Sequence, residues 1–93
     1  MNGPIEKTVR VRNRAGLHAR PAAEFVKRAG RFEAEIELVR GVLTVNGKSI
    51  MGVLMLAAEQ GSRLKLWASG DDAEDAIEAL ANLVGRGFEE LEA

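Results

Sequence analysis

The segment Phe32-Glu33-Ala34-Glu35-Ile36-Glu37-Leu38 alternates strictly between apolar and acidic residues. In an extended chain successive side chains point to opposite faces. Phe32, Ala34, Ile36 and Leu38 therefore share one face, and the three glutamates share the other. Such a strand can be buried on one side only. The pattern recurs at residues 5–12, where Val9 and Val11 oppose Thr8, Arg10 and Arg12. It recurs again where Leu64, Leu66 and Ala68 oppose Arg63, Lys65 and Trp67. After a turn at Arg40-Gly41, Leu43 and Val45 supply a hairpin partner for the central strand. Four strands with one apolar face each require an antiparallel or mixed sheet with helices on one side. Arg63 and Lys65 suit a glutamate row on the second strand, which favours the fourth strand beside the second. The first strand beside the fourth is less comfortable, because Arg10 and Arg12 are also basic.

The intervening segments carry helical spacing. Ala22, Phe25, Val26 and Ala29 repeat at helical intervals, so a helix begins near Ala19, runs to about Arg28 and stops at Gly30. Ser49 is a preferred N-cap residue and opens a short apolar helix through Ile50, Met51, Val53, Leu54, Met55 and Leu56, ended by Gly61. Asp71-Asp72-Ala73-Glu74 opens a third helix with acids near its positive end and a capping-box spacing of Asp71 to Glu74. Ala73, Ala76, Ile77, Leu80, Leu83 and Val84 form its stripe, and Gly85 and Gly87 end it. Residues 1–4 read as a free end, and Phe88 and Leu91 as tail residues that still pack. The order is β-α-β-β-α-β-α in one domain, 1–93.

Composition narrows the function classes. The 93-residue chain has 13 basic and 14 acidic side chains, so it lacks the basic excess of a general nucleic-acid or membrane binder. An RNA-recognition sheet needs stacking aromatics, and only Trp67 is available on the open face. Without cysteine and with one histidine, no disulfide framework or structural zinc site is expected. No apolar run approaches a membrane span and no signal-peptide core is present, which places the chain in the cytoplasm.

The single histidine stands where chemistry is favoured. In Ala15-Gly16-Leu17-His18-Ala19-Arg20-Pro21-Ala22-Ala23, Pro21 fits only a first helical turn, so His18 sits at the helix start. Backbone N–H groups at Ala19 and Arg20, with the positive end of the helix dipole, favour an anion there. Arg20 adds a planar fork of donors suited to phosphate. Imidazole is a competent nucleophile at physiological pH, and phosphoryl transfer needs alignment and charge stabilisation above all. A hydrolase would need a further acid or base, yet no carboxylate follows the motif before Glu24.

Gly16-Leu17-His18-Ala19-Arg20-Pro21-Ala22 resembles the active-site signature of the HPr family, the histidine-containing phosphocarriers of bacterial sugar phosphotransferase systems. Asn46-Gly47-Lys48-Ser49-Ile50-Met51-Gly52-Val53 resembles that family's regulatory-serine segment, and the resemblance runs from about Ile5 to Val84. It implies an α+β fold: an open-faced β-sandwich, a four-stranded antiparallel sheet of order 1-4-2-3 with three helices on one face. It implies that His18 accepts a phosphoryl group, on ring Nδ1, from phosphorylated enzyme I charged by phosphoenolpyruvate. The group then passes to IIA components of sugar transporters. Arg20 and the helix start at Ala19 would stabilise the phosphoryl group. The chain would be a stoichiometric carrier, not an enzyme, with no cofactor and no metal. Ser49 would be the target of a serine kinase/phosphorylase in catabolite regulation. The docking surface would comprise Leu17, Lys27, Ile50, Met51, Leu54 and Met55, on a monomer that keeps His18 open. Ala15 departs from the family, which often has a polar Asn or Ser there.

Overall fold

The structure is a computed structural model and describes residues 3–89. Four strands, β1 (Ile5–Arg10), β2 (Glu35–Arg40), β3 (Leu43–Asn46) and β4 (Arg63–Ser69), form one sheet in the order β1-β4-β2-β3. Every neighbouring pair is antiparallel. Three helices, α1 (Ala19–Ala29), α2 (Ile50–Met55) and α3 (Ala73–Gly85), pack over one face, and a 3₁₀ turn follows at Gly87–Glu89. The expected open-faced sandwich of order 1-4-2-3 is the observed one.

The alternation dictates which face the helices cover. Val9, Ile36, Leu38, Leu64, Leu66 and Ala68 are buried. Phe25 of α1, Val53 of α2 and Leu80 of α3 close over them, each at 0% exposure. Filling such a layer is the main favourable term in a domain of this size. Phe32 lies ahead of β2 and is only half-buried. The hairpin loop is Gly41-Val42 rather than Arg40-Gly41, since Arg40 already pairs with Leu43. Gly41 has φ +60° in the first central position, where a two-residue hairpin loop needs glycine.

One charge expectation is corrected and another is met. β4 does neighbour β2, but Lys65 stands opposite Val39, and Trp67 opposite Glu37. The Lys65 ammonium instead lies 3.6 Å from the Glu6 carboxylate on β1. Both side chains are half exposed, so this pair contributes about 0–1 kcal/mol and does not set the strand order. Arg10 and Arg63 sit directly opposite on β1 and β4, and their exposure lets water screen the repulsion.

The third helix also starts differently. Its N-cap is Asp72, not Asp71, and the Asp72 side chain makes no capping bond. Its carboxylate reaches the N–H groups of Glu33 and Ala34 at the entry to β2. At the other end Gly85 is still helical and Arg86 is the C-cap. Phe88 is buried despite a positive φ of 56°. Leu91, expected to pack, and Met1 and Asn2 of the expected free end lie outside the described residues.

Candidate functional site: the start of the first helix

His18 is the N-cap of α1, with extended backbone (φ −80°, ψ −170°), and its carbonyl accepts the Ala22 N–H at 2.9 Å. Its side chain does not cap the helix and is exposed. Pro21 occupies the first turn, where a missing N–H costs nothing. Ala22, Phe25 and Ala29 anchor the helix in the core, so its start is held rigidly under the imidazole. The first turn holds no acid and the last turn holds Lys27 and Arg28. That distribution complements the dipole at the C-terminus and leaves the field at His18 positive. Arg20 is exposed on the first turn beside it.

The approach to His18 is built from the loop 13–16. Gly16 has φ +76°, and a Cβ there would stand 2.4 Å from the Ala58 carbonyl oxygen. Leu17 donates its N–H to that same oxygen at 2.9 Å. The loop bearing His18 is thus seated on the chain leaving α2. Asn13, fully buried, donates from Nδ2 to the Gly16 carbonyl at 2.7 Å. Sequence reasoning passed over Asn13; the signal was an asparagine three residues before a glycine in a turn.

Ser49 is the N-cap of α2, as expected, and its Oγ accepts the Gly52 N–H at 3.1 Å. Arg40 reaches the other end of α2 and donates to the Leu56 carbonyl at 2.9 Å. Six residues could not hold a helix in isolation; the cap, the arginine and buried Val53 hold this one. Ile50, Met51, Leu54 and Met55 remain exposed, the two methionines at 67% and 64%. A grouped set of exposed apolar side chains is the character of an interaction surface. α2 packs against α1, so this surface and His18 belong to the same helical layer. Lys27 is exposed near the far end of α1, roughly 13 Å along the axis from His18, in a shallow groove with Arg28, Arg31 and Leu83 of α3. Leu17 is corrected: at 4% exposure it is part of the core and offers a partner no surface. Its buried side chain anchors the loop while the next residue is displayed.

Fold and site together define a small open-faced α+β protein that displays one histidine on an anion-favouring helix start. The model of the family described as "PTS HPr component phosphorylation site" matches residues 5–86. The chain belongs to the HPr family of the phosphotransferase system. It is 52% identical to phosphocarrier protein HPr of Treponema pallidum, over 92% of this chain and 98% of the relative. Among solved structures, HPr of Thermoanaerobacter tengcongensis superposes with a TM-score of 0.89 at 46% identity, covering 92% of this chain and 97% of that one. Crh of Bacillus subtilis, a catabolite-repression protein crystallised as a swapped-domain dimer, gives 0.74 at 42% identity, covering 89% and 95%.

Proposed function

We propose that this phosphotransferase-system carrier takes up its phosphoryl group on His18 and acts as one domain over residues 1–93. A ring nitrogen of His18 attacks phosphorus, the bond to phosphorylated enzyme I breaks, and enzyme I is regenerated. A histidine of a IIA component then removes the group, and the carrier returns unchanged. It is a stoichiometric carrier and not an enzyme. The observation that carries the reading is the exposed imidazole at the N-cap of α1, with no acid in the first turn and Arg20 beside it. Charge on the phosphoryl oxygens is met there by the helix field and a guanidinium.

Both partners dock on α2 through Ile50, Met51, Leu54 and Met55, with Lys27 at the edge of the footprint. Methionine suits a surface that must accept more than one partner. Ser49, half-buried at the start of this helix, is a regulatory phosphorylation site for a serine kinase. Its phosphate would place about two negative charges beside the docking surface and oppose an acidic partner. The carrier works as a monomer in the cytoplasm, where both partners can reach an open His18.

The test is intact mass after incubation with enzyme I and phosphoenolpyruvate, alongside His18→Ala. One added phosphoryl group, labile in acid and absent from the variant, is the expected result. An unmodified wild type, or an equally modified His18→Ala, overturns the assignment.

A further inference from the structure

Asn13 is the only buried residue with a polar side chain among the described residues, at 0% exposure. Burying an amide is unfavourable unless its groups are used. Its Nδ2 donates to the Gly16 carbonyl at 2.7 Å, and the Gly16 N–H donates back to the Asn13 carbonyl at 3.2 Å. Any residue at position 13 could accept the second bond; only a side-chain donor can make the first. Ala15, between them, contributes no polar group.

The Gly16 carbonyl and the Leu17 N–H belong to one planar peptide unit. That N–H donates to the Ala58 carbonyl at 2.9 Å. The unit is therefore pinned at both ends, at its oxygen by Asn13 and at its nitrogen by Ala58. Leu17 is further fixed by its buried side chain. His18 is the next residue, so the pinned peptide sets the direction from which the imidazole leaves the chain.

We propose that Asn13 is a positioning residue for phosphoryl transfer, holding the Gly16–Leu17 peptide so that the His18 ring meets the incoming group in line. The proposal rests on the reading of His18 as the acceptor. Phosphoryl transfer depends on alignment, and a displacement of about 1 Å can lower a rate by up to about a hundredfold.

Asn13→Asp keeps the shape of the side chain and replaces the donor with a carboxylate facing a carbonyl. Uptake from phosphorylated enzyme I is measured with the carrier as the varied substrate, and rates are expressed per folded molecule from thermal melts. The expected result is a fall in kcat of about tenfold or more, with KM changed by less than about twofold, because α2 is untouched. The His18 ring signals in NMR spectra should shift as well. An unchanged kcat per folded molecule, or a loss confined to KM, overturns the proposal. Should Asn13→Asp not fold, the wild type decides through the Asn13 side-chain amide signals. They should shift when His18 is phosphorylated, and unmoved signals overturn the proposal. A wild type that takes up no phosphoryl group removes the His18 assignment and this proposal together. Normal wild-type uptake with an unaffected variant removes this proposal alone.

Discussion

The carboxylate of Asp72 meets the backbone of Ala34 across 38 positions of sequence, with Oδ1 accepting the Ala34 N–H at 2.8 Å. Its second oxygen accepts the Glu33 N–H at 2.9 Å. One side chain thereby ties the start of α3 to the entry of β2, between two elements that share no turn. The anion also stands at the positive end of α3, where the helix dipole favours it. Lys48 adds positive charge nearby and itself donates to the Phe32 carbonyl at 2.6 Å.

This latch makes part of the stability pH-dependent. The Glu33 N–H bond, with the Ala34 bond and Lys48 adding to it, holds the Asp72 carboxyl below its ordinary value of 3.8, against a smaller opposing effect of desolvation. A depressed folded-state value means that the contribution is complete above the unfolded value and disappears as pH falls through the folded one. Thermal melts of wild type and Asp72→Asn should therefore differ most at neutral pH and converge below about pH 3.8. Parallel curves down to the lowest accessible pH would show that the charge at Asp72 is not coupled to folding.

Gly16 should not tolerate a side chain. Its φ of +76° lies in the left-handed region, and a Cβ would meet the Ala58 oxygen at 2.4 Å. Gly16→Ala should cost at least about 1–2 kcal/mol from backbone conformation, with displacement of the loop added to it. Urea unfolding measures the first effect, and phosphoryl uptake the second. Uptake should fall by more than the folded fraction does, because the loop that moves is the one that carries His18.

The strand pattern was legible because burial on a sheet has period two, which β4 keeps throughout and β2 keeps through Leu38, while β1 keeps it at Val9 but exposes Lys7 two residues earlier. The helix start at His18 was legible because Pro21 has few places to go. What escaped were interactions whose partners lie elsewhere in the chain or depend on a loop conformation. The spacing of Asp71 and Glu74 implied a local capping box, yet the N-cap is Asp72 and its carboxylate is engaged by Glu33 and Ala34. Lys65 was assigned to the glutamates of β2, but register put Val39 opposite and left Glu6 within reach. Leu17 lies in a loop without periodicity, so nothing in the pattern distinguished a buried anchor from a docking residue. Asn13 was missed for the same reason.

The cap on α2 can be separated from any regulatory role of Ser49. Ser49→Ala removes the acceptor for the Gly52 N–H and should destabilise the chain by about 1 kcal/mol, read as a lower urea midpoint at unchanged slope. Ser49→Asp keeps a capping oxygen, so its stability should match wild type within about 0.5 kcal/mol. If a charge at this position opposes the acidic partner, only the aspartate variant should raise the KM for phosphoryl uptake. Equal KM values in both variants would confine Ser49 to a structural role.

The docking surface proposed on α2 predicts a result of the opposite kind, a loss of binding without a loss of fold. Met51 is 67% exposed, so Met51→Glu removes little core packing and should shift stability by no more than about 0.5 kcal/mol. A charge placed in an apolar contact should nevertheless raise the KM for uptake about tenfold, equivalent to about 1.4 kcal/mol of binding. The maximal rate should hold, because His18, Arg20 and the loop 13–16 are unchanged. Thr8→Glu supplies the control. Thr8 is exposed on the uncovered face of the sheet, opposite Lys65 and away from the helical layer. If both substitutions raised KM equally, net charge would explain the effect. A rise confined to Met51→Glu would locate the contact on α2.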